Sequence, residues 1–120
     1  MRKTLVLGAS ENPERYAYLA MNSLKRHGHE VEAIGLKPGM VNEIQIQTGM
    51  PELHDIDTVT LYIGPARQPE MYKYITGLKP RRVIFNPGTE NAEFEQMLNN
   101  NGIETEEACT LVLLNTGQYE

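Results

Sequence analysis

The sequence has few cysteines, few basic residues and no long apolar runs, and each shortage excludes a class of protein. Cys109 is its single cysteine, so no disulfide within the chain can stabilise it, and we expect a reducing compartment. The chain has 16 Asp and Glu against 11 Lys and Arg, which gives a net charge of −5. Nucleic acids and anionic membranes bind to cationic surfaces, so neither is an expected partner.

No apolar stretch approaches the roughly 20 residues of a membrane-spanning helix. Only six residues lie between Met1 and Gly8, too few for the apolar core of a signal peptide. We therefore expect a cytoplasmic protein. A chain of 120 residues is long enough for one domain, spanning 1–120, whose core needs neither disulfides nor a structural metal.

The first twenty residues contain the most informative pattern. An apolar run at 4–7 is followed by Gly-Ala-Ser-Glu-Asn-Pro-Glu-Arg at 8–15 and then by a helical pattern, which predicts a strand, a tight turn and a helix start. Such a turn directs unpaired backbone N–H groups and the positive end of the helix dipole into one small volume. That volume suits a phosphate. The alternative is a well-capped turn that binds no ligand.

Individual residues of this turn fit the same hypothesis. Gly8 allows the backbone to approach a ligand closely, and Ser10 and Asn12 can cap the helix or donate a hydrogen bond. Pro13 suits the first helical position, where its missing N–H would have had no partner.

Strand, turn and helix then alternate along the chain. Further strands are predicted at 31–35, 58–63, 82–85 and 103–106, and a short helix is favoured over 109–114. Residues 43–48 alternate polar and apolar side chains, which predicts a short edge strand or an extended loop rather than a crossover helix. The predicted fold class is α/β, a three-layer αβα sandwich around a mainly parallel, five-stranded sheet.

Ligands of such sheets bind beyond the carboxyl ends of the strands. The turns at 8–15, 37–38, 64–65 and 86–88 each follow a predicted strand, so they should line one crevice. A nicotinamide-binding domain would carry an acid after its second strand and a Gly-x-Gly-x-x-Gly turn after its first. Lys37 takes the place of the acid and that turn is absent, so NAD is disfavoured. Lys37 is compatible with a nucleotide that carries an extra phosphate, and equally with a solvated turn.

Five segments, in order and at matching spacing, resemble one family over essentially the whole chain. They are Gly-Ala-Ser with Asn-Pro and Arg15 at 8–15, the second strand with its proline at 31–38, Ile-Gly-Pro at 63–65, Asn-Pro-Gly-Thr-Glu at 86–90 and Glu-Ala-Cys-Thr at 107–110. The chain resembles the small stand-alone CoA-binding proteins of Rossmann-like fold. These are related to the CoA-binding domain of succinyl-CoA synthetase and other acyl-CoA synthetases.

The resemblance implies that the ligand is CoA or an acyl-CoA, bound by a non-catalytic sensor or carrier, with no metal. The ADP part would lie on the first loop and at the end of the second strand, where Lys37 would meet the ribose 3′-phosphate. The pantetheine arm would cross the later strand ends. The residues implied in binding are Gly8, Ala9, Ser10, Asn12, Pro13, Arg15, Lys37, Pro38, Gly64, Pro65, Asn86 and Gly88.

No catalytic residue is predicted. Ser10 has no histidine at a spacing typical of a triad, and Cys109 lies in an apolar stretch, where cysteine behaves as a small hydrophobe. Acyl-CoA synthetases use a phosphorylatable histidine in a later domain, which we do not expect in this chain. Two alternatives stay open, a nucleotide-dependent oxidoreductase and a subunit of an acyl-CoA-processing enzyme. A partner protein or a homo-oligomer also stays open.

Overall fold

The computed structural model describes residues 3–120, and they form one sheet covered by helices. Its strands are β1 (Lys3–Ala9), β2 (Glu30–Gly35), β3 (Gly39–Val41), β4 (Ile44–Gln47), β5 (Thr58–Leu61), β6 (Arg82–Phe85) and β7 (Glu104–Glu107). The α-helices are α1 (Tyr16–Arg26), α2 (Tyr72–Leu78), α3 (Ala92–Asn100) and α4 (Thr110–Asn115), and two 3₁₀ turns cover Pro65–Arg67 and Pro69–Met71.

The strands lie side by side in the order β3-β4-β2-β1-β5-β6-β7. Neighbours are parallel except for the antiparallel pair β3 and β4. Without β3, the strands are ordered third, second, first, fourth, fifth, sixth, as in Rossmann folds. The direction of winding therefore reverses between β1 and β5.

An apolar cluster covers each face of the sheet. On one face α1 and α4 contribute Met21, Leu24 and Leu113, and on the other α2 and α3 contribute Ile75 and Phe94. Every residue of β5 and β6 is buried, as expected for parallel strands that are covered on both faces. The predicted three-layer αβα sandwich is confirmed, and so is the short helix predicted over 109–114.

The sheet has seven strands, not the five predicted, because residues 39–47 form a β-hairpin. Asn42 and Glu43, between its strands, have positive φ angles of 50° and 70°, as both central residues of a type I′ turn require. The alternating segment is a strand, as predicted, but it pairs in parallel with β2 and leaves β3 at the edge. The prediction that it forms the edge is therefore wrong.

The helix start after β1 also differs from the prediction. Because α1 begins at Tyr16, the placement of Pro13 at the first helical position is wrong. The Ser10 Oγ accepts the Asn12 N–H at 3.0 Å, and the Asn12 Oδ1 accepts the Glu14 N–H at 3.0 Å. These two side chains fold the loop locally, and neither caps the helix.

Asn86, directly after β6, joins two strands to α4. Its Nδ2 donates to Thr60 Oγ1 at 2.7 Å and to the Leu61 carbonyl at 2.8 Å, and its Oδ1 accepts the Thr110 N–H at 2.9 Å. The residue is only 2% exposed, so water cannot replace these bonds. Since Thr110 is the first residue of α4, Asn86 fixes where that helix begins.

We expect Asn86→Ala to lower the free energy of unfolding by about 2–4 kcal/mol, because buried groups of Leu61 and Thr110 lose their partner. Urea denaturation measures the change. Asn100→Ala, at an exposed position at the end of α3, is the control and should change the free energy of unfolding by less than about 0.5 kcal/mol. Equal stability of the two variants would contradict the bridging role of Asn86.

Candidate functional site

The loops after β1, β2, β5 and β6 open on the same edge of the sheet, because these strands are parallel neighbours. We call it the carboxyl edge. Residues 10–15, 36–38, 62–67 and 86–91 follow the four strands there, so the structure brings the predicted segments to one side of the molecule. The reversal of winding between β1 and β5 places residues 10–15 and 62–67 side by side, at the position where such sheets bind ligands.

Gly8 is required by the packing of the strands. It has a φ of +101°, and a Cβ built on it would lie 2.8 Å from the carbonyl carbon of Tyr62. At this residue the pairing of β1 with β2 shifts register, between Leu7 and Ala9. Any side chain at Gly8 would strain the backbone and separate β1 from the end of β5. The glycine is therefore needed whether or not a ligand binds.

Gly64 differs from Gly8 in its φ angle and in the space around it. Its φ of −69° is open to any residue, and a Cβ on it would meet no atom within 4 Å. The added methyl group would extend into the open space on the carboxyl edge. Nothing in the fold demands glycine at this position, so a side chain here would take up space available to a ligand.

The start of α1 lacks a cap. No side chain accepts a hydrogen bond from its first turn, that turn contains no acidic residue, and Arg15 occupies the N-cap position. The first N–H groups of a helix have no partner within it, and the helix dipole is positive at this end. An anion bound here would satisfy both the N–H groups and the dipole.

The start of α3, also on the carboxyl edge, shows what a satisfied terminus looks like. The Asn91 side chain caps this helix, since its Oδ1 accepts the Phe94 N–H at 3.1 Å. Glu93 and Glu95 lie in the first turn of the helix and compensate the dipole. This terminus therefore needs no external anion, in contrast to the start of α1.

Three cations accompany the uncapped helix. Arg15, Lys37 and Arg67 follow β1, β2 and β5, all are exposed, and none forms an ion pair within residues 3–120. Arg15 and Lys37 are among the residues predicted to bind the ligand. Arg67 is not, although its position in the turn after a core strand is typical of a binding residue.

Three basic residues at the amino ends of the strands form ion pairs. Lys3 contacts Glu32 at 3.1 Å, Arg81 contacts Asp57 at 3.0 Å, and Arg82 contacts Glu106 at 3.3 Å. A depression of about 440 Å³ also lies at these amino ends, beside the first residues of β2 and β4, and Glu30, Glu32 and Glu43 line part of it. Its carboxylates do not suit an anionic ligand.

The polar groups of Asn86 and Gly88 are already engaged. Asn86 uses its side chain to fix α4, and its carbonyl accepts from the backbone and the hydroxyl of Thr89. The Gly88 N–H donates to the Glu90 carboxylate at 2.9 Å. Both residues lie on the carboxyl edge as predicted, but a contact with a ligand would have to be a packing contact or replace one of these bonds.

Negative charge collects at the far end of this edge, beside β7. Burial raises the pKa of Glu95 to about 6, and the hydrogen bond and negative charge of Glu107 add to the shift, with a smaller contribution from Glu90. A phosphate would be repelled here. An anionic ligand group therefore suits the side of β1 and β2, and an uncharged one the side of β6 and β7.

Tyr62 and Cys109 are the groups with reactive chemistry nearest to the later strand ends. Burial raises the pKa of Tyr62 to about 12, while contacts with Thr110 and Thr60 oppose the shift, so the hydroxyl stays protonated at neutral pH. Cys109 is half-buried immediately before α4. His27 and His29 follow the end of α1 at the amino ends of the strands, whereas Tyr62 and Cys109 lie at the carboxyl ends.

Two other kinds of feature are absent from the described residues. From Lys3 to Glu120, no group of three His, Cys, Asp or Glu side chains is arranged to hold a metal ion. No helix in that part of the chain is long and apolar enough to cross a membrane.

Comparisons with known proteins identify a family and a fold. Residues 2–115 match the family described as CoA binding domain. The crystal structure of an uncharacterized protein superposes with a TM-score of 0.95 and 53% identity, covering 98% of each chain. No match is found among curated proteins.

Two more distant structures share the fold. A hypothetical protein from Pyrococcus horikoshii OT3 has a TM-score of 0.86 and 23% identity, over 96% of this chain and 82% of that one. The structure called cell-free ID.343 from Thermus thermophilus has a TM-score of 0.83 and 20% identity, over 98% and 90% of the two chains. At these identities the likeness concerns the fold alone.

The raised pKa of Glu95 predicts that stability falls as the pH rises. The pKa in the folded state, about 6, exceeds the ordinary value of 4.5, so the folded state binds the proton more tightly. The resulting stabilisation is complete below about pH 4.5 and is lost as the pH rises through 6. Glu95→Gln cannot titrate, so its stability relative to the wild type should be higher at pH 7.5 than at pH 4.5.

The gain in the free energy of unfolding of Glu95→Gln at pH 7.5 should stay below about 1 kcal/mol, because water screens a group this close to the surface. Urea denaturation of both proteins at the two pH values measures it. Glu70→Gln, at an exposed position, supplies the baseline. A difference between Glu95→Gln and the wild type that does not depend on pH would contradict the assignment.

Proposed function

The chain belongs to the family of CoA binding domains, and from this premise we propose that it binds CoA or an acyl-CoA along the carboxyl edge of β1, β2 and β5. The observation that carries the proposal is the uncapped start of α1 beside three exposed cations. CoA carries a diphosphate and a ribose 3′-phosphate, so it offers anions for both the helix and the cations. Residues 8–15 act in this proposal as a phosphate-binding loop.

The charges on the edge orient the ligand. The diphosphate lies against the first N–H groups of α1 and the Arg15 guanidinium, and the 3′-phosphate lies beside Lys37. The uncharged pantetheine arm then runs past Gly64 and Pro65, where the fold leaves open space, toward Asn86 and Gly88. The acyl end approaches the side of β7, where Glu95 and Glu107 would repel a phosphate but not a thioester.

We propose a sensor or carrier role rather than catalysis. Tyr62 stays protonated at neutral pH, and the His27 Nδ1 lies 2.7 Å from the Ser23 carbonyl oxygen rather than beside Ser10 or Cys109. CoA itself supplies a thiol for acyl attachment. The residues of the chain bind and orient it. A cytoplasmic location belongs to the same proposal and is supported by the single cysteine.

CoA should bind more tightly than dephospho-CoA, and both should bind more tightly than NAD. A charge-assisted contact between Lys37 and the 3′-phosphate is worth roughly 1.5–3 kcal/mol, or about one to two decades in affinity. Isothermal titration with the three ligands measures the order. Lys37→Ala should lower the affinity for CoA by that factor and leave the affinity for dephospho-CoA unchanged.

The control for lost positive charge is Arg26→Ala. Arg26 is exposed at the other end of α1, about 16 Å along the helix axis from its start. This variant should bind CoA like the wild type. Equal affinity for CoA and dephospho-CoA in the wild type would remove Lys37 from the site, and tighter binding of NAD than of CoA would overturn the choice of ligand.

Gly64→Ala should weaken CoA binding without changing stability. The methyl group enters the open space beside the loop, and overpacking of this kind costs about 1–3 kcal/mol, which is roughly fivefold to a hundredfold in affinity. Gly77→Ala in α2, where a Cβ also meets nothing within 4 Å, is the matched control and should bind normally. Denaturation midpoints verify folding. Unchanged CoA affinity in folded Gly64→Ala would exclude this loop from the site.

A further inference from the structure

Glu11 is an acidic residue within the loop that is proposed to receive phosphates. Its Oε2 accepts the Met40 N–H at 2.8 Å, although the two residues are 29 positions apart in the chain. A Cβ on Gly39 would lie 2.4 Å from the Glu11 carboxyl carbon. The side chain therefore crosses from the loop after β1 to the start of β3, and the missing side chain of Gly39 makes room for it.

This contact brings Glu11 close to the loop that contains Lys37. Lys37 precedes Gly39 by two residues, so their Cα atoms are at most about 7 Å apart. Among the described residues Glu11 and Lys37 form no ion pair, and the Glu11 Oε1 has no hydrogen-bond partner. An exposed carboxylate oxygen and an exposed ammonium group thus share one corner of the carboxyl edge.

A carboxylate and an ammonium group recognise different parts of a ribose phosphate. A carboxylate accepts a hydrogen bond from a hydroxyl and repels a phosphate, whereas an ammonium group attracts the phosphate. Rossmann folds that bind NAD use an acid after the second strand for the ribose hydroxyls. Here Lys37 occupies that loop, and Glu11 supplies a carboxylate from the loop next to it.

We propose that Glu11 is a specificity-determining residue that selects the position of the ribose phosphate. Its Oε1 accepts the free 2′-hydroxyl while Lys37 binds the 3′-phosphate, so nucleotides with a 2′-phosphate are rejected. The inference rests on the proposed function, because it assigns the ribose end of CoA to this corner. A merely structural role would not need the charge, since a glutamine would accept the Met40 N–H equally well.

The test uses two isomers, adenosine 3′,5′-bisphosphate and adenosine 2′,5′-bisphosphate, as competitors of bound CoA. The wild type should prefer the 3′,5′ isomer by roughly tenfold or more. In Glu11→Gln the preference should fall to less than about threefold, chiefly because the 2′,5′ isomer binds more tightly once the repulsion is gone. Glu70→Gln, which removes an exposed charge outside residues 8–15, should keep the preference of the wild type.

Gly39→Ala provides a second test, because it displaces the Glu11 carboxylate without removing its charge. In this variant the preference for the 3′,5′ isomer should also fall. The same preference in Glu11→Gln as in the wild type would overturn the inference, as would failure of both isomers to displace CoA, since the ribose would then lie elsewhere. These results leave the proposed function standing, whereas a wild type that does not bind CoA in direct titration refutes the proposed function itself.

Discussion

The close approach of two strand ends determines the form of the carboxyl edge. The backbones of Gly8 and Tyr62 pack so tightly that no Cβ fits between them, and on the other side of β1 a Cβ on Gly35 would lie 2.4 Å from the Ala9 carbonyl oxygen. The ends of β2, β1 and β5 are therefore drawn together where the winding reverses. As a consequence, the loop before α1 lies between the loop that carries Lys37 and the turn that carries Arg67.

The distribution of charges favours binding of an anion at the carboxyl ends of β1 and β2. Lys3, Arg81 and Arg82 at the amino ends of the strands are paired with carboxylates, while Arg15, Lys37 and Arg67 at the carboxyl ends are not. The start of α3 has a cap and acidic residues, and the start of α1 has neither. Three unpaired cations and an uncapped helix start thus lie together at the carboxyl ends of β1, β2 and β5, and negative charge beside β7 limits how far along the edge an anion can bind.

Much of this could be predicted from local sequence. The buried strands β5 and β6 have the sequences Thr-Val-Thr-Leu and Arg-Val-Ile-Phe, rich in β-branched and apolar residues, and α1 shows its buried stripe at Ala17, Met21 and Leu24. Features that depend on distant partners could not be predicted. The strand β3 is only three residues long and has no alternation of polar and apolar side chains. Asn86 lies in an Asn-Pro-Gly segment typical of a turn, yet its contact with the Thr110 N–H fixes the start of α4. The contact between Glu11 and Met40 joins segments that no local pattern connects.

The central claim, that CoA binds across the carboxyl edge at the reversal of winding, is tested most directly by mapping amide chemical shifts in a ¹⁵N-labelled protein titrated with CoA. We predict that the largest changes fall on residues 8–18, 36–40 and 64–67, with little change at the amino ends of the strands, such as Glu30, Asp57 and Glu104. The largest changes at the amino ends, or none at residues 8–18, would contradict the account.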